Sequence, residues 1–168
     1  LNINTSIDAV TRREYEYTAL ELALLLTKGL PDKEGLKKID GLSFRAGDEV
    51  IHNKDREFLE DVDSLPFVSR VYRKHLDYRD YFYAHSRHPI VTLITGRGCP
   101  HRCVYCLYPQ TFNGHKLRYR SIKNVVDEIE YCLANFSDLK EVMFEDDTLT
   151  VNKKRSLEFA EEILKRGL

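Results

Sequence analysis

Three cysteines lie within eight residues of one another and constrain this chain more than any other feature. Cys99, Cys103 and Cys106 form a C-x3-C-x2-C spacing inside residues 96–106. Thiolates this close in sequence can bind one metal centre, and soft sulfur ligands favour zinc or iron–sulfur clusters over hard cations. A closed zinc site and an ordinary cluster both use four protein ligands. Three cysteines therefore leave one coordination position for a ligand from outside the protein.

The stretch just before the cysteines predicts a strand. Residues 90–95 form an apolar, β-branched run that is followed by Gly96 and Gly98. Such a run is typical of a parallel strand that is buried on both faces. Active-site residues gather at the carboxyl ends of parallel barrel strands, so we expect the cysteine loop at a functional edge of the fold.

The cysteine loop resembles the signature of the radical S-adenosylmethionine (SAM) enzymes, in which the residue before the last cysteine is aromatic, as Tyr105 is here. The resemblance implies that Cys99, Cys103 and Cys106 bind three irons of a 4Fe-4S cluster, that SAM chelates the fourth, and that Tyr105 lies beside the adenine. It also implies a reaction in which the cluster, reduced by a donor such as flavodoxin or ferredoxin, cleaves SAM to a 5'-deoxyadenosyl radical.

Three further segments resemble radical SAM enzymes that carry an N-terminal cobalamin-binding domain. They are residues 8–18, a Gly-Leu-x-x-Arg hairpin at 41–45 and a linker at 62–66. Arg13 and Tyr15 stand where that class tends to have small residues. The cobalamin-ligating Asp-x-His-x-x-Gly stretch is absent from this chain. The resemblance thus implies cobalamin as a cofactor of the class, with its site outside this chain.

The order of elements and the resemblance together predict an α/β chain in three parts. We expect residues 1–30 to be the C-terminal βα unit of a flavodoxin-like, cobalamin-binding domain and residues 31–89 to be a linker with a β-hairpin. Residues 90–168 are expected to form the first two βα units of a partial (β/α) SAM barrel. A complete barrel takes about 250 residues, so we expect the chain to be part of a longer protein.

Local signals predict the individual elements. Ser121 is a good N-cap for an amphipathic helix of about 16 residues. Cys132 lies on the apolar face of that helix, where a small buried hydrophobe is a better interpretation than a fourth ligand. The other predicted elements are a helix at 18–28, hairpin strands at 41–45 and 49–53, a strand at 141–145 and a helix from about Asn152.

Three consecutive carboxylates, Glu145, Asp146 and Asp147, follow the second predicted strand. They resemble a Phe-x-Asp-Asp-x-Phe stretch of the cobalamin-associated enzymes, which implies that they meet the amino group of SAM, and carboxylates bind an ammonium well. A solvated loop at the start of a helix is the alternative. For Arg118 and Arg120, both pairing with carboxylates and capping of barrel loops stay open.

Charge and composition exclude several other classes of protein. The 26 basic and 27 acidic residues leave no surplus for a polyanion, so nucleic-acid binding is not predicted. Residues 70–88 are rich in tyrosine, and an interdomain linker explains them better than a platform for stacked bases. No apolar run approaches the roughly 20 residues of a membrane span. Clustered cysteines without a disulfide pattern favour a cytoplasmic location.

The sequence therefore predicts a radical SAM iron–sulfur enzyme that acts on a small molecule, by methyl transfer or another radical transformation with cobalamin. We expect this chain to be inactive by itself. Two alternatives stay open. One is a zinc-binding interaction module with His115 as a fourth ligand, and the other is a degenerate barrel that serves only as a scaffold.

Overall fold

The computed structural model describes residues 1–2, 4 and 6–168, which form a mixed α/β structure. They divide into two compact units. The first unit comprises residues 1–59 and 101–115, and the second comprises residues 60–100 and 116–168. Each unit has a hydrophobic core of its own.

The first unit is built on a three-stranded antiparallel sheet in the order β1-β2-β3. Strand β1 spans Ala9–Thr11, β2 spans Leu42–Ala46 and β3 spans Glu49–His52. Strands β2 and β3 form the predicted hairpin, which is confirmed, and Gly47 in its turn has a φ of 65°. Glycine suits this position because other residues rarely adopt a left-handed backbone.

Helices α1 and α2 cover this sheet. Helix α1 spans Glu16–Leu26, two residues earlier than predicted, and α2 spans Lys33–Lys37 with Asp32 as its N-cap. The small core is formed by Ile39, Leu42 and Phe44. Strand β1 precedes α1, as in a βα unit, but it pairs antiparallel with β2. The flavodoxin-like assignment of residues 1–30 therefore stays a prediction.

Residues of the 8–18 segment stabilise the first unit. The side chain of Thr18 is fully buried and donates to the carbonyl of Asp40 at 2.8 Å, and Glu14 accepts the backbone N–H of Leu59 at 2.8 Å. Arg13 has a φ of 58°, a left-handed conformation that glycine adopts without strain. Here Arg13 also forms a 3.0 Å ion pair with Asp55.

The second unit contains a parallel pair of strands joined through a helix. Strand β4 spans Ile90–Leu93 and pairs with β7, Glu141–Phe144, so that Leu93 lies opposite Phe144. Helix α4, Ile122–Asn135, lies between them in sequence, and α5, Lys153–Lys165, follows β7. The predicted βαβα order is thus confirmed. A short antiparallel pair, β5 at Gly96–Arg97 and β6 at Arg118–Tyr119, connects the end of β4 to α4.

Burial of apolar side chains in the core of the second unit stabilises β4 and α4. Alternate residues of β4, Val91 and Leu93, are almost fully buried, and they pack with the apolar face of α4. Burial of one such side chain contributes about 1.5–3 kcal/mol. The buried cluster consists of Tyr78, Val91, Leu93, Val125, Ile129, Cys132 and Phe136.

Residues 68–80 are more ordered than the predicted linker. Helix α3 spans Val68–His75, and a 3-10 turn spans Tyr78–Asp80. Tyr72 and Tyr78 pack against the core of the second unit. The ring of Tyr78 meets Phe136 edge to face, with centroids 4.7 Å apart. Part of this tyrosine-rich segment is therefore core.

Candidate functional site

The three clustered cysteines are distributed over both units. Cys99 is half-buried in the second unit, where it follows β5. Cys103 and Cys106 belong to the first unit, the former exposed and the latter half-buried. Among the described residues, no three His, Cys, Asp or Glu side chains are arranged to hold a metal ion. The assignment of these cysteines as ligands therefore stays a prediction.

Cys103 and Cys106 are joined by a single turn. The N–H of Cys106 donates to the carbonyl of Cys103 at 3.1 Å, which brings both residues to one side of a compact loop. Between them Val104 and Tyr105 project into solvent, and Tyr105 is 87% exposed. An aromatic side chain held in this way is available to stack on a ligand.

The fourth cysteine has a different environment. Cys132 is fully buried on α4 within the core of the second unit. Burial raises the pKa of its thiol to about 12, although a hydrogen bond with Ser69 opposes the shift. Metal ligation requires a thiolate, so Cys132 is a poor ligand. Its interpretation as a buried hydrophobe is confirmed.

The zinc alternative requires a fourth ligand beside the cysteines. His115, Cys103 and Cys106 all belong to the first unit. In the described part of that unit they do not form a metal-holding group. The zinc alternative, like the assignment of the three cysteines to a cluster, therefore stays a prediction.

The path of the chain into Cys99 is tightly constrained. Gly98 has a φ of 93°, and a Cβ at this position would lie only 2.1 Å from the carbonyl oxygen of Lys116. A side chain here would collide with backbone, so glycine is required where β5 gives way to the cysteine loop. A Cβ at Gly96 would likewise lie only 2.6 Å from the ring of Tyr119.

The three strand-end carboxylates differ in their environments. Glu145 and Asp147 are exposed, whereas Asp146 is half-buried. The carboxylate of Asp146 accepts the backbone N–H of Thr95 at 3.1 and 3.0 Å and the hydroxyl of Thr95 at 2.8 Å. Burial raises the pKa of Asp146, and the hydrogen bonds from Thr95 oppose this shift. The three carboxylates thus differ in exposure, and Asp146 is the least exposed of them.

Arg155 contacts the carbonyl of Thr95, whereas Asp146 contacts its N–H and hydroxyl. Its guanidinium donates to the Thr95 carbonyl at 3.2 Å and stacks 4.6 Å from the centre of the Tyr119 ring. Burial lowers the pKa of Arg155, while the charge of Asp146 raises it. Arg155 was not identified from the sequence. Its position in the first turn of α5, the helix that follows the acidic run, was the available signal.

Arg120 has a structural role, which answers one open question. It forms a 2.6 Å ion pair with Glu128, whose side chain is fully buried, and it donates to the carbonyl of Ile94 at 3.0 Å. Glu128 in turn accepts both the N–H and the hydroxyl of Ser69 at 3.0 and 2.8 Å. A buried charge needs such compensation. Arg120 therefore ties the end of β4 to α4, and Glu128 ties α4 to α3.

A cavity of about 390 Å³ lies beside the strand ends within the second unit. Ile90 and Thr92, which share one face of β4, and Glu145 contribute to it. The remaining lining is mostly aromatic and comprises Tyr72, Leu76, Tyr78, Asp80, Tyr81, Phe82 and Tyr83. An apolar wall with a few polar groups is typical of a small-molecule site.

The donor set fits an iron–sulfur cluster better than a closed metal site. Three cysteine thiols are accessible or half-buried, and the remaining one is buried with a raised pKa. Three sulfur donors with one open position suit a cluster that also binds an external ligand.

None of the helices formed by the described residues has the length and apolar character that a membrane crossing requires.

Comparison with known proteins gives a consistent family. Residues 93–167 match the model described as the Radical SAM superfamily. The chain is 35% identical over 162 residues to an uncharacterized methyltransferase of Pyrococcus horikoshii, covering 96% of this chain and 33% of the relative. It is 30% identical over 165 residues to the anaerobic magnesium-protoporphyrin IX monomethyl ester cyclase of Cereibacter sphaeroides, covering 96% and 25%. The chain thus spans a third or less of the length of these relatives.

Two solved structures share the fold. One is the radical SAM methyltransferase TsrM from Kitasatospora setae, with a TM-score of 0.65 and 19% identity over 96% of this chain and 30% of that one. The other is OxsB, a cobalamin-dependent SAM radical enzyme, with a TM-score of 0.67 and 23% identity over 94% and 21%. At these identities the likeness concerns the fold alone.

Proposed function

The chain belongs to the radical SAM superfamily, and we propose that within the complete protein it supplies the residues that bind a 4Fe-4S cluster and SAM. Cys99, Cys103 and Cys106 would hold the cluster. The observation that carries the proposal is the C-x3-C-x2-C loop after the buried strand β4, inside the region that matches the family model. When bound, the cluster supplies the electron that cleaves SAM.

We assign the other site residues by their exposure and position. Tyr105, which is 87% exposed between two of the cysteines, would stack beside the adenine. Glu145 and Asp147 would accept hydrogen bonds from the amino group of SAM, because they are exposed carboxylates at the end of β7. Direct contact is not assigned to Asp146, because its carboxylate is engaged with Thr95.

We infer a small-molecule substrate from the aromatic cavity of the second unit. Its volume of about 390 Å³ falls within the range of small-molecule sites. Glu145 lines it, so a substrate there would lie next to a carboxylate of the SAM site. Methyl transfer, or another radical reaction supported by cobalamin bound outside this chain, is the reaction class that the relatives support.

We also propose how the three segments of this mixed α/β chain correspond to domains of the complete protein. We assign residues 90–168 to the first two βα units of a partial SAM barrel, which the parallel pairing of β4 with β7 supports. Residues 1–30 are assigned to the end of a flavodoxin-like cobalamin domain, and residues 31–89 to a linker with a hairpin. A cytoplasmic enzyme that receives electrons from flavodoxin or ferredoxin completes the proposal.

The metal content of the complete protein tests this function. After anaerobic reconstitution with iron and sulfide, we expect a brown protein with the absorption of a 4Fe-4S cluster, which is lost in air. Acid-labile sulfide should match the iron. A colourless protein that binds zinc stoichiometrically and no sulfide would support the interaction module. A protein that binds neither metal would support a degenerate scaffold.

A further inference from the structure

Every polar group of Thr95 is engaged at the end of β4. Its N–H and its hydroxyl both donate to the carboxylate of Asp146, at 3.0–3.1 and 2.8 Å. Its carbonyl accepts the backbone N–H of Arg120 at 3.0 Å and the guanidinium of Arg155 at 3.2 Å. Thr95 is only 2% exposed. Thr95 is thus held by hydrogen bonds to three residues that are distant in sequence: Asp146, Arg120 and Arg155.

The residues that follow Thr95 are also constrained by contacts within the second unit. Gly96 and Arg97 pair with Tyr119 and Arg118 as the β5–β6 ladder. Gly98 then lies so close to the Lys116 carbonyl that no side chain fits. Cys99 is the next residue. The backbone that enters the cysteine loop is therefore fixed at its start by Asp146 and then by the β5–β6 pairing, and only glycine fits at position 98.

An engaged carboxylate is poorly suited to bind a ligand. Asp146 is half-buried, and hydrogen bonds from Thr95 use both of its oxygens. A SAM ammonium at Asp146 would have to compete with these bonds. Loss of the Thr95 contacts would leave a buried N–H without a partner, which costs about 1–3 kcal/mol. The neighbouring carboxylates Glu145 and Asp147 are more exposed to solvent than Asp146.

We propose that Asp146 is a positioning residue, which fixes through Thr95 the course of the chain into Cys99 and does not touch SAM. The inference rests on the proposed function for what Cys99 binds. The clamp on Thr95 is a property of the chain itself. Its effect on SAM is indirect and follows from where Cys99 is held.

Variants of the complete protein separate positioning from direct binding. Asp146→Ala should lower iron retention and change the EPR line shape of the reduced cluster in the absence of SAM. Asp146→Asn keeps a carbonyl oxygen for Thr95 and should largely restore both. In each Asp146 variant, the SAM affinity of the cluster-loaded fraction should change by less than about threefold.

The matched controls are Glu145→Ala and Asp147→Ala. These should keep the iron content and the SAM-free EPR spectrum of the wild type, and weaken SAM binding by about tenfold to a hundredfold. An Asp146→Ala protein with a wild-type cluster spectrum but tenfold weaker SAM binding would overturn the proposal. So would an Asp146→Asn protein that loses SAM affinity while it keeps its cluster.

Hydrogen exchange tests the clamp without any cofactor. In the apo-protein the Thr95 amide should be protected, and Asp146→Ala should speed its exchange by at least about tenfold, with partial recovery in Asp146→Asn. Thr95→Val, which keeps the amide and loses the hydroxyl, serves if Asp146→Ala does not fold, and should give an intermediate rate. Unchanged exchange in these variants would refute the clamp. A protein that shows the exchange pattern but binds no cluster would refute only the proposed function.

Discussion

Tyr105, between Cys103 and Cys106, is 87% exposed, whereas Thr95, at the end of β4, is 2% exposed and bonded at every polar group. The side chains of Val104 and Tyr105 in the exposed turn project into solvent, so the role that we propose for this turn depends on what binds to it. The strand end is organised by the protein itself. The comparison teaches that the strand end is formed by protein contacts alone, whereas the exposed turn would be organised by the ligands that we propose for it.

The largest expected effect is on the ligand-dependent region. Replacement of Cys99, Cys103 or Cys106 by Ala should abolish the cluster, because a thiolate ligand is lost outright. Iron and sulfide analysis after anaerobic reconstitution measures this. Cys132→Ala is the matched control and should keep full iron content. Loss of the cluster in Cys132→Ala, with its fold intact, would make Cys132 a ligand and contradict the account.

The next effect concerns the preformed region. Glu128→Ala should lower the free energy of unfolding by about 3–5 kcal/mol, because it leaves Arg120 buried without its partner. Denaturant unfolding of the apo-protein measures this loss. Lys123→Ala, which breaks only the exposed pair with Asp127, should cost about 0.3–0.5 kcal/mol. Equal losses in the two variants would show that the Arg120–Glu128 pair does not stabilise the strand end.

Substitution of Gly98, which precedes the cysteine loop, can be compared with substitution of Gly47, which lies in the open β2–β3 turn. Gly98→Ala and Gly47→Ala both place an alanine at positive φ, which costs about 1–3 kcal/mol. Only at Gly98 would the new Cβ also meet backbone, the Lys116 carbonyl. Gly98→Ala should therefore destabilise the protein more and reduce its iron retention. If Gly47→Ala had the larger effect on either measurement, the close approach at Gly98 would not be important.

The smallest effect is a pH dependence. Because burial raises the pKa of Cys132 to about 12, the folded state keeps its thiol proton where the unfolded state has lost it. Cys132 therefore contributes stability that is complete below about pH 8.5 and declines as the pH rises towards 12, by at most about 1.4 kcal/mol per unit. The difference in the free energy of unfolding between wild type and Cys132→Ala should be smaller at pH 10 than at pH 8. A constant difference would contradict the raised pKa.

Elements with local signals were predictable from the sequence. Helix α4 has Ser121 as its N-cap, which accepts the N–H of Asn124, and an apolar repeat. Strands β4 and β7 have continuous apolar runs, and the β2–β3 hairpin has Gly47 in its turn. These signals lie within a few residues of one another, and the structure confirms the elements they predicted.

Features that depend on distant residues were missed. Helix α3 lies within the residues predicted to be a linker, and its buried Ser69 is held by Glu128, 59 positions away. The expectation that Asp146 meets SAM came from the resemblance of the strand-end carboxylates to those of the cobalamin-associated enzymes, and it stays a prediction. The bond of Asp146 to Thr95, 51 positions away, distinguishes it from its neighbours. Tertiary contacts of this kind leave no local pattern.

The response of the reduced cluster to SAM tests the central claim most directly. The complete protein, reconstituted anaerobically and reduced with dithionite, should show an EPR signal that changes when SAM is added, and it should then release 5'-deoxyadenosine and methionine. This outcome follows if the three cysteines leave one iron position open for SAM. A reduced cluster whose EPR signal is unchanged by saturating SAM, with no 5'-deoxyadenosine formed, would contradict the account.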